Sequence, residues 1–335
     1  MAERNRPDRP TRPKVIVTRR LPPLVEARMA ELFDTQFSPD DKPMTRAALA
    51  AAMRNCDVLL PTVTDQIDAE LIAQAGPDLK LIASFGAGVD HIDLPAAAAR
   101  RIIVTNTPGV LTEDTADLAI ALMLSVPRRL WEGRELLRAG AWTGWSPTHM
   151  LGRRVGGKRL GIVGMGRIGQ AVARRARAFG LSIAYTNRRR IAPEAEAETG
   201  AVFHETLDAL LGVSDIVTVH CPLNATSRGM IGADQFALMG PQATFINTAR
   251  GEIADEEALI AALENGTIAG AGLDVYAHEP AVDPRLLALP NCVLLPHLGS
   301  ATIEARDATG DKVIANIRTW VDGHRPPDQV LVDGR

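Results

Sequence analysis

The stretch LGIVGMGRIGQAVARRARAFGLSIAYTNRRR, residues 160–190, decides how the rest of the chain is read. Leu160, Ile162 and Val163 form a short apolar run suited to a buried strand. Ile168, Ala171 or Val172, Ala176 and Phe179 then recur every three or four residues, which is the period of a helix, and Gly180 stops it. A second apolar run follows and ends at Asn187, so the segment reads as one βαβ unit. Gly164, Gly166 and Gly169 occupy its first turn. The first glycine permits the tight turn, the second lets backbone approach a pyrophosphate, and the third lets helix and strand pack closely. The helix start, with Arg167 and Ile168 behind Gly166, turns free N–H groups toward a diphosphate. Glycines at this spacing also arise by chance; the strand before them and the helix after them supply the context a dinucleotide site requires.

The second strand ends 18 residues beyond Gly169, where a ribose-reading residue is expected. An acid there would accept hydrogen bonds from the ribose hydroxyls of NAD. This chain has Asn187-Arg188-Arg189-Arg190 instead: no carboxylate repels a 2′-phosphate, and guanidiniums are at hand to pair with one. The expectation is a preference for NADP(H), with NAD(H) as the alternative. Arg188 and Arg189 are the candidates to grip the phosphate, and Arg190 is expected to point to solvent. The plainer reading of the same residues is a solvated arginine turn.

At 335 residues the chain exceeds what one core usually serves, so two domains are expected. With 46% hydrophobic and 23% charged residues it has an ordinary globular composition, and a net charge of −3 gives no global reason to expect nucleic-acid binding. Cys56, Cys221 and Cys292 are far apart and share no CxxC spacing, which indicates neither a disulfide framework nor a metal site. They suit a reducing, cytoplasmic setting. The longest strongly apolar run, 118–126, falls well short of the ~20 residues needed to cross a bilayer, so no membrane partner is expected. Residues 1–13 lack an apolar h-region and carry acids and prolines; they read as a flexible tail rather than a signal or transit peptide.

From Lys14, β-rich runs at 15–18, 58–61, 79–85 and 102–105 alternate with helical patterns near 23–33, 45–54, 68–75 and 95–100. That rhythm predicts a small parallel sheet with helices on both faces. One of its strands runs into Gly86-Ala87-Gly88-Val89-Asp90, whose glycines expose backbone N–H groups at a strand's carboxyl end, where an anion could be cradled; a plain glycine turn is the alternative. Asn106-Thr107-Pro108-Gly109 reads as a hinge. Thr112 to Thr115 then offers a helix start, with Thr112 as N-cap, and the helix runs to Val126. After Pro127 a second helix carries Leu130, Arg134 and Leu137. Trp142 and Trp145 follow in a Gly/Pro-rich loop where no period buries them, which suggests a protein contact or a substrate pocket. Beyond the βαβ unit, strands at 216–220, 244–247, 270–274 and 293–295, with helices near 205–211, 232–239 and 255–265, complete a second doubly wound domain. A long helical pattern from Ser300 to Gly323, with Val313, Ile317 and Trp320 on one face, is placed to return to the first domain.

Several strand ends in the second domain are polar where bland turns would serve. They are His220-Cys221-Pro222 with Asn224 and Thr226, Asn247-Thr248-Ala249-Arg250-Gly251, Asp274 with His278-Glu279-Pro280, and His297 with Gly299-Ser300. Arg250, Glu279 and His297 thus each follow a strand's carboxyl end. An arginine can clamp a carboxylate and polarise a carbonyl, while a histidine donates a proton as hydride arrives; an adjacent carboxylate favours the charged imidazole. Thr115, Cys221, Pro222, Thr226, Thr248, Ala249, Asp274 and Gly299 are the remaining candidates to line the dinucleotide.

These motifs together, GAGVD at 86–90, GMGRIG at 164–169, NTARG at 247–251, Asp274-Val275 with Glu279-Pro280, and His297 with Gly299-Ser300, resemble the D-isomer-specific 2-hydroxyacid dehydrogenases from about Lys14 to Val330. The glyoxylate/hydroxypyruvate reductase branch looks most similar. The resemblance implies an α/β fold of two doubly wound parallel-sheet domains, with a Rossmann coenzyme domain (108–298) inserted into a flavodoxin-like substrate domain split between 14–107 and 299–335. It implies that Arg250, Glu279 and His297 are the catalytic set, that the backbone of Ala87 and Gly88 holds the substrate carboxylate, and that the protein is a homodimer in which a tryptophan such as Trp145 reaches the partner's site. Asn187 departs from the acid of the NAD-using members. Dinucleotide-sensing corepressors share this fold and triad, but the arginines after the second strand favour a reductive cofactor. Enzymes acting on 3-phosphoglycerate or branched 2-keto acids are the other alternative.

Overall fold

The computed structural model describes residue 10 and residues 12–331; most of the expected 1–13 tail and the last four residues lie outside them. The chain divides into two compact units, one formed by residues up to Leu111 together with those from Thr302, the other by Thr112–Ala301. The hydrogen bonds explain where the divisions fall. Asn106 and Thr107 are tied back to the first unit through Asp328 and Gly86, so the chain leaves that unit only after them. Gly299 is tied to Thr115 of the second unit by a 2.8 Å bond from the threonine hydroxyl, which keeps the turn at 299–301 there.

In the first unit β1 (Lys14–Val17), α1 (Pro23–Leu32), β2 (Asp34–Gln36), α2 (Arg46–Arg54), β3 (Val58–Leu60), α3 (Ala69–Ala73), β4 (Leu81–Ala83), α4 (Leu94–Ala99) and β5 (Ile103–Thr105) follow in order. The strands pair in parallel in the order β2-β1-β3-β4-β5, the flavodoxin-like arrangement. Period-two alternation divides each inner strand between two cores: Val15, Val17, Val58, Leu60, Leu81 and Ala83 pack on one face, and Ile16, Leu59 and Ile82 on the other. A strand buried on both faces reads as an unbroken apolar run, as VIV, VLL and LIA do. Strand β2 was not expected. Its sequence, DTQ, is short and polar because it is an edge strand that pairs on one side only.

The second unit begins with α5 (Thr112–Ser125) and α6 (Leu130–Arg138) and continues through β6 (Arg159–Val163), α7 (Arg167–Ala178), β7 (Ser182–Thr186), α8 (Pro193–Thr199), β8 (Ala201–Phe203), α9 (Leu207–Leu211), β9 (Ile216–Val219), α10 (Ala233–Met239), β10 (Thr244–Asn247), α11 (Glu256–Glu264), β11 (Gly270–Leu273), α12 (Pro284–Ala288) and β12 (Cys292–Leu294). Its parallel order is β12-β11-β10-β9-β6-β7-β8, so the strand order reverses at β6/β9, as in a Rossmann domain. Thr112 is the first residue of α5 rather than a residue ahead of it. α8, β8 and α12 were not expected; each is short, and α8 is a glutamate-rich PEAEAET with little apolar period.

The chain then returns as α13 (Ile303–Val321), which starts at Thr302, whose side chain accepts from the Ala305 amide. Val313, Ile314, Ile317 and Trp320 join Val25 and Met29 in one core cluster. Gly310 is required there because a Cβ at that point would overlap the side chain of Val25. Among the described residues no helix is long and apolar enough to cross a membrane, and no group of three or more His, Cys, Asp or Glu is arranged to hold a metal ion.

Candidate active site

The turn from β6 to α7 shows why each glycine is needed. Gly164 has φ = 101°, and a Cβ on it would meet the backbone of His220 and Cys221. A Cβ on Gly169 would collide with the Gly164 carbonyl oxygen. Gly166 is different: a Cβ there meets nothing within 4 Å, so the space in front of it is open for a ligand's phosphates rather than filled by protein. The amides of Arg167 and Ile168 have no acceptor among the described residues, as expected of a helix start that receives an anion. The residues present therefore fit a dinucleotide diphosphate.

At the end of β7, Asn187 Oδ1 accepts from the Met165 amide at 2.7 Å. Its oxygen therefore braces the glycine turn, an aspect that sequence reasoning missed because the bond spans 22 residues. Arg188 and Arg189 are exposed, and neither makes an ion pair among the described residues. Arg190 does not simply point to solvent. It pairs with Glu196, both guanidinium bonds measuring 2.8 Å, and the Tyr185 hydroxyl donates to the same carboxylate. These two donors hold Glu196 down at about 2, so the acid expected to be missing from this neighbourhood is present in α8 but neutralised by Arg190.

Past β12, His297 Nδ1 lies 2.8 Å from Glu279 Oε2. A carboxylate can only accept, so Nδ1 carries a hydrogen and Nε2 is left for other chemistry. Glu279 Oε1 accepts from the Tyr276 amide at 3.1 Å. Burial pushes the Glu279 carboxyl up, but the bond to His297 and the charges of His297 and Arg250 outweigh this and leave it below the usual range. His297 itself is held at φ = 55°, a left-handed conformation that costs a non-glycine residue about 1–2 kcal/mol. The fully buried Asp274 maintains it. Its carbonyl accepts from the His297 amide at 2.9 Å, and its two carboxylate oxygens accept from Leu298 and Gly299 at 2.6 and 2.8 Å. Burial raises the Asp274 carboxyl while those amides pull the other way. Asp274, expected to line the dinucleotide, thus uses both oxygens on the histidine turn, and Thr115 uses its hydroxyl on Gly299.

Arg250 opens the turn after β10. The buried Asn247 shapes that turn: its Oδ1 accepts from the Ala249 amide and its Nδ2 donates to the Arg250 carbonyl. A Cβ on Gly251 would overlap the backbone of Tyr276, so glycine lets the turn lie against the loop that carries Glu279. Thr248 Oγ1 is buried and has no hydrogen-bond partner among the described residues. After β9, Pro222 accepts from Ser227, the Thr226 hydroxyl donates to Asn224, and burial pushes the Cys221 thiol up to about 11. His220 lies 2.9 Å from Thr218 Oγ1, and desolvation pushes its imidazole down to about 3, so it is neutral at pH 7 and is no rival to His297 as an acid.

In the first unit, the amides of Ala87 and Gly88 have no acceptor among the described residues. The segment from α6 through Leu151 presents Leu130, Trp131, Leu137, Trp142, Trp145 and Leu151 to solvent, and Trp145 is 81% exposed.

The Glu279 carboxylate yields a test of the pair. Its folded titration point is depressed below the ordinary glutamate value of 4.5, so it contributes stability that is present above that value and is lost as pH falls through the lower folded value. Urea unfolding should show Glu279→Gln to be less stable than the unmodified protein at pH 7, with the deficit shrinking below about pH 4. A deficit that does not change with pH would show that the carboxylate's charge is not what matters.

The model of the D-isomer specific 2-hydroxyacid dehydrogenase NAD-binding domain matches residues 120–299. The chain is 45% identical over 326 residues to the glyoxylate reductase of Thermococcus litoralis, covering 96% of this chain and 98% of that protein, and 41% identical over 323 residues to that of Pyrococcus furiosus, covering 95% of each. It is also similar to the crystal structure of the NADPH-dependent glyoxylate/hydroxypyruvate reductase from Sinorhizobium meliloti in complex with NADP and malonate, with a TM-score of 0.85 and 39% identity over 95% of this chain and 97% of that one. With the two parallel-sheet units, the glycine turn and the Glu279–His297 pair, these likenesses make the chain an oxidoreductase that belongs to the D-isomer specific 2-hydroxyacid dehydrogenases.

Proposed function

We propose that the protein reduces small 2-oxo acids, glyoxylate and hydroxypyruvate, to 2-hydroxy acids, and that it prefers NADPH to NADH. The observation that carries the reaction type is the 2.8 Å His297–Glu279 pair beyond a strand end of a dinucleotide-binding unit. The substrate class follows from the relatives, which are glyoxylate reductases at 40–45% identity. When bound, the reduced nicotinamide supplies a hydride to the carbonyl carbon. His297 Nε2 delivers a proton to the carbonyl oxygen, and Glu279 stabilises the charged imidazole and keeps its tautomer fixed. Arg250 is the group that polarises the carbonyl, and the amides of Ala87 and Gly88 are the candidates to hold the substrate carboxylate. Initial rates with glyoxylate, hydroxypyruvate, pyruvate and 2-ketoisocaproate test the substrate class, and His297→Ala should lower kcat by about 10²–10⁴. A His297→Ala protein with its full rate removes that residue from the reaction; rates favouring 2-ketoisocaproate overturn the substrate assignment.

The cofactor preference rests on Arg188 and Arg189, which are exposed and unpaired among the described residues, whereas Arg190 is held by Glu196. A 2′-phosphate carries close to two negative charges, and each charge-assisted bond to it contributes about 1.5–3 kcal/mol before solvent screening. Changing both Arg188 and Arg189 to Ala should reduce kcat/KM for NADPH by about 10²-fold and leave that for NADH nearly unchanged. Equal kcat/KM for the two cofactors in the unmodified protein would mean that the arginines form only a solvated turn.

We also assign the exposed apolar segment from Leu130 to Leu151 to a homodimer contact, with Trp145 reaching the partner's site. Trp145→Ala should alter KM or substrate preference while the dimer persists. Light scattering that finds a fully active monomer overturns this.

A further inference from the structure

The two amides assigned above to the substrate carboxylate belong to peptides whose opposite ends are tied down. The Ala87 carbonyl accepts from Asn106 Nδ2 at 2.7 Å. The Gly86 carbonyl accepts from the Thr107 amide at 2.9 Å. Both peptide bonds are trans, so each carbonyl points opposite to the N–H of the next residue. Fixing the Gly86 and Ala87 carbonyls toward residues 106 and 107 therefore aims the Ala87 and Gly88 N–H groups together, away from that strand end. This is the geometry of a backbone anion cradle.

Asn106 is in turn held from the far end of the sequence. Its amide donates to the Asp328 carbonyl at 3.2 Å, and its carbonyl accepts from Asn316 Nδ2 at 3.3 Å. Asn316 is fully buried in α13; its Oδ1 accepts from the Asp328 amide at 3.1 Å and its Nδ2 also reaches the Asp328 carboxylate at 3.2 Å. Lys312 closes the set with bonds of 2.8 and 3.0 Å to the two Asp328 carboxylate oxygens. In this partly buried network, displacing Asn106 would take partners from the Ala87 carbonyl and the Asn316 amide at once, which favours the arrangement observed.

We propose that Asn106 is a positioning residue for substrate binding: by holding the Ala87 carbonyl it aims the Gly88 amide at the carboxylate, and the Asn316–Asp328–Lys312 network of the returning chain holds Asn106 in place. This rests on the 2-oxo acid reading above. Asn106→Asp keeps the side chain's shape and replaces the donor to the Ala87 carbonyl with an acceptor. It should raise KM for glyoxylate about 10-fold or more, change kcat by much less, and leave NADPH affinity unchanged. Isothermal titration of oxalate into the enzyme–NADPH mixture should show a matching loss of affinity, a readout that needs no turnover. Lys312→Met, which disturbs the network two steps away, should give a smaller change in the same direction, and it carries the test if Asn106→Asp does not fold. Unaltered KM and oxalate affinity in the folded variants overturn the proposal. An unmodified protein that does not reduce glyoxylate overturns the substrate reading instead, and the oxalate titration then still decides whether Asn106 governs the cradle.

Discussion

A single buried carboxylate governs the geometry of the second unit's chemistry. Asp274 directly follows β11, and its backbone and both side-chain oxygens receive three consecutive amides, those of His297, Leu298 and Gly299. Without those bonds nothing would hold His297 in a left-handed conformation, and the 2.8 Å contact with Glu279 depends on that placement. The energetic logic is that a charged acceptor, removed from water, is stabilised only by donors brought to it, so the turn and the acid fix each other.

A related device recurs at three other strand ends. Asn187 at the end of β7 braces the glycine turn through Met165, Asn247 at the end of β10 shapes the arginine turn through Ala249 and Arg250, and Asn106 after β5 holds Ala87. In each case a short polar side chain satisfies backbone groups that a sheet would leave unpaired at its carboxyl edge. The loops that meet ligands are thereby preorganised by residues that need not touch the ligand themselves, which lowers the ordering cost of binding.

This division explains what could be read from the sequence. The sheets were legible because inner strands buried on both faces give unbroken runs such as VIV and LGIV, and because the glycine spacing at 164–169 has strict steric causes. The catalytic candidates were legible because Arg250, Glu279 and His297 follow strand ends, where parallel sheets bind ligands. Elements with neither signal were not: β2 is a polar edge strand, and α8 with β8 has too few apolar positions to show a period. Roles that depend on long-range pairing were equally silent. The bonds that Asn187, Asp274 and Arg190 make to Met165, Leu298 and Glu196, partners 22, 24 and 6 residues away, add structural roles that no local pattern announces.

The three glycines of the β6–α7 turn also separate two kinds of evolutionary pressure that a sequence motif merges. At 164 and 169 a side chain would strike the protein's own backbone, so those positions are constrained by folding alone, in any descendant, whether or not it still uses a dinucleotide. At 166 the fold itself has room for a methyl group, so a demand for glycine there comes from a dinucleotide's approach rather than from the protein's own packing. A lineage that abandoned its cofactor would therefore drift first at residue 166 while 164 and 169 stayed glycine, leaving a two-glycine remnant as the record of a lost dinucleotide.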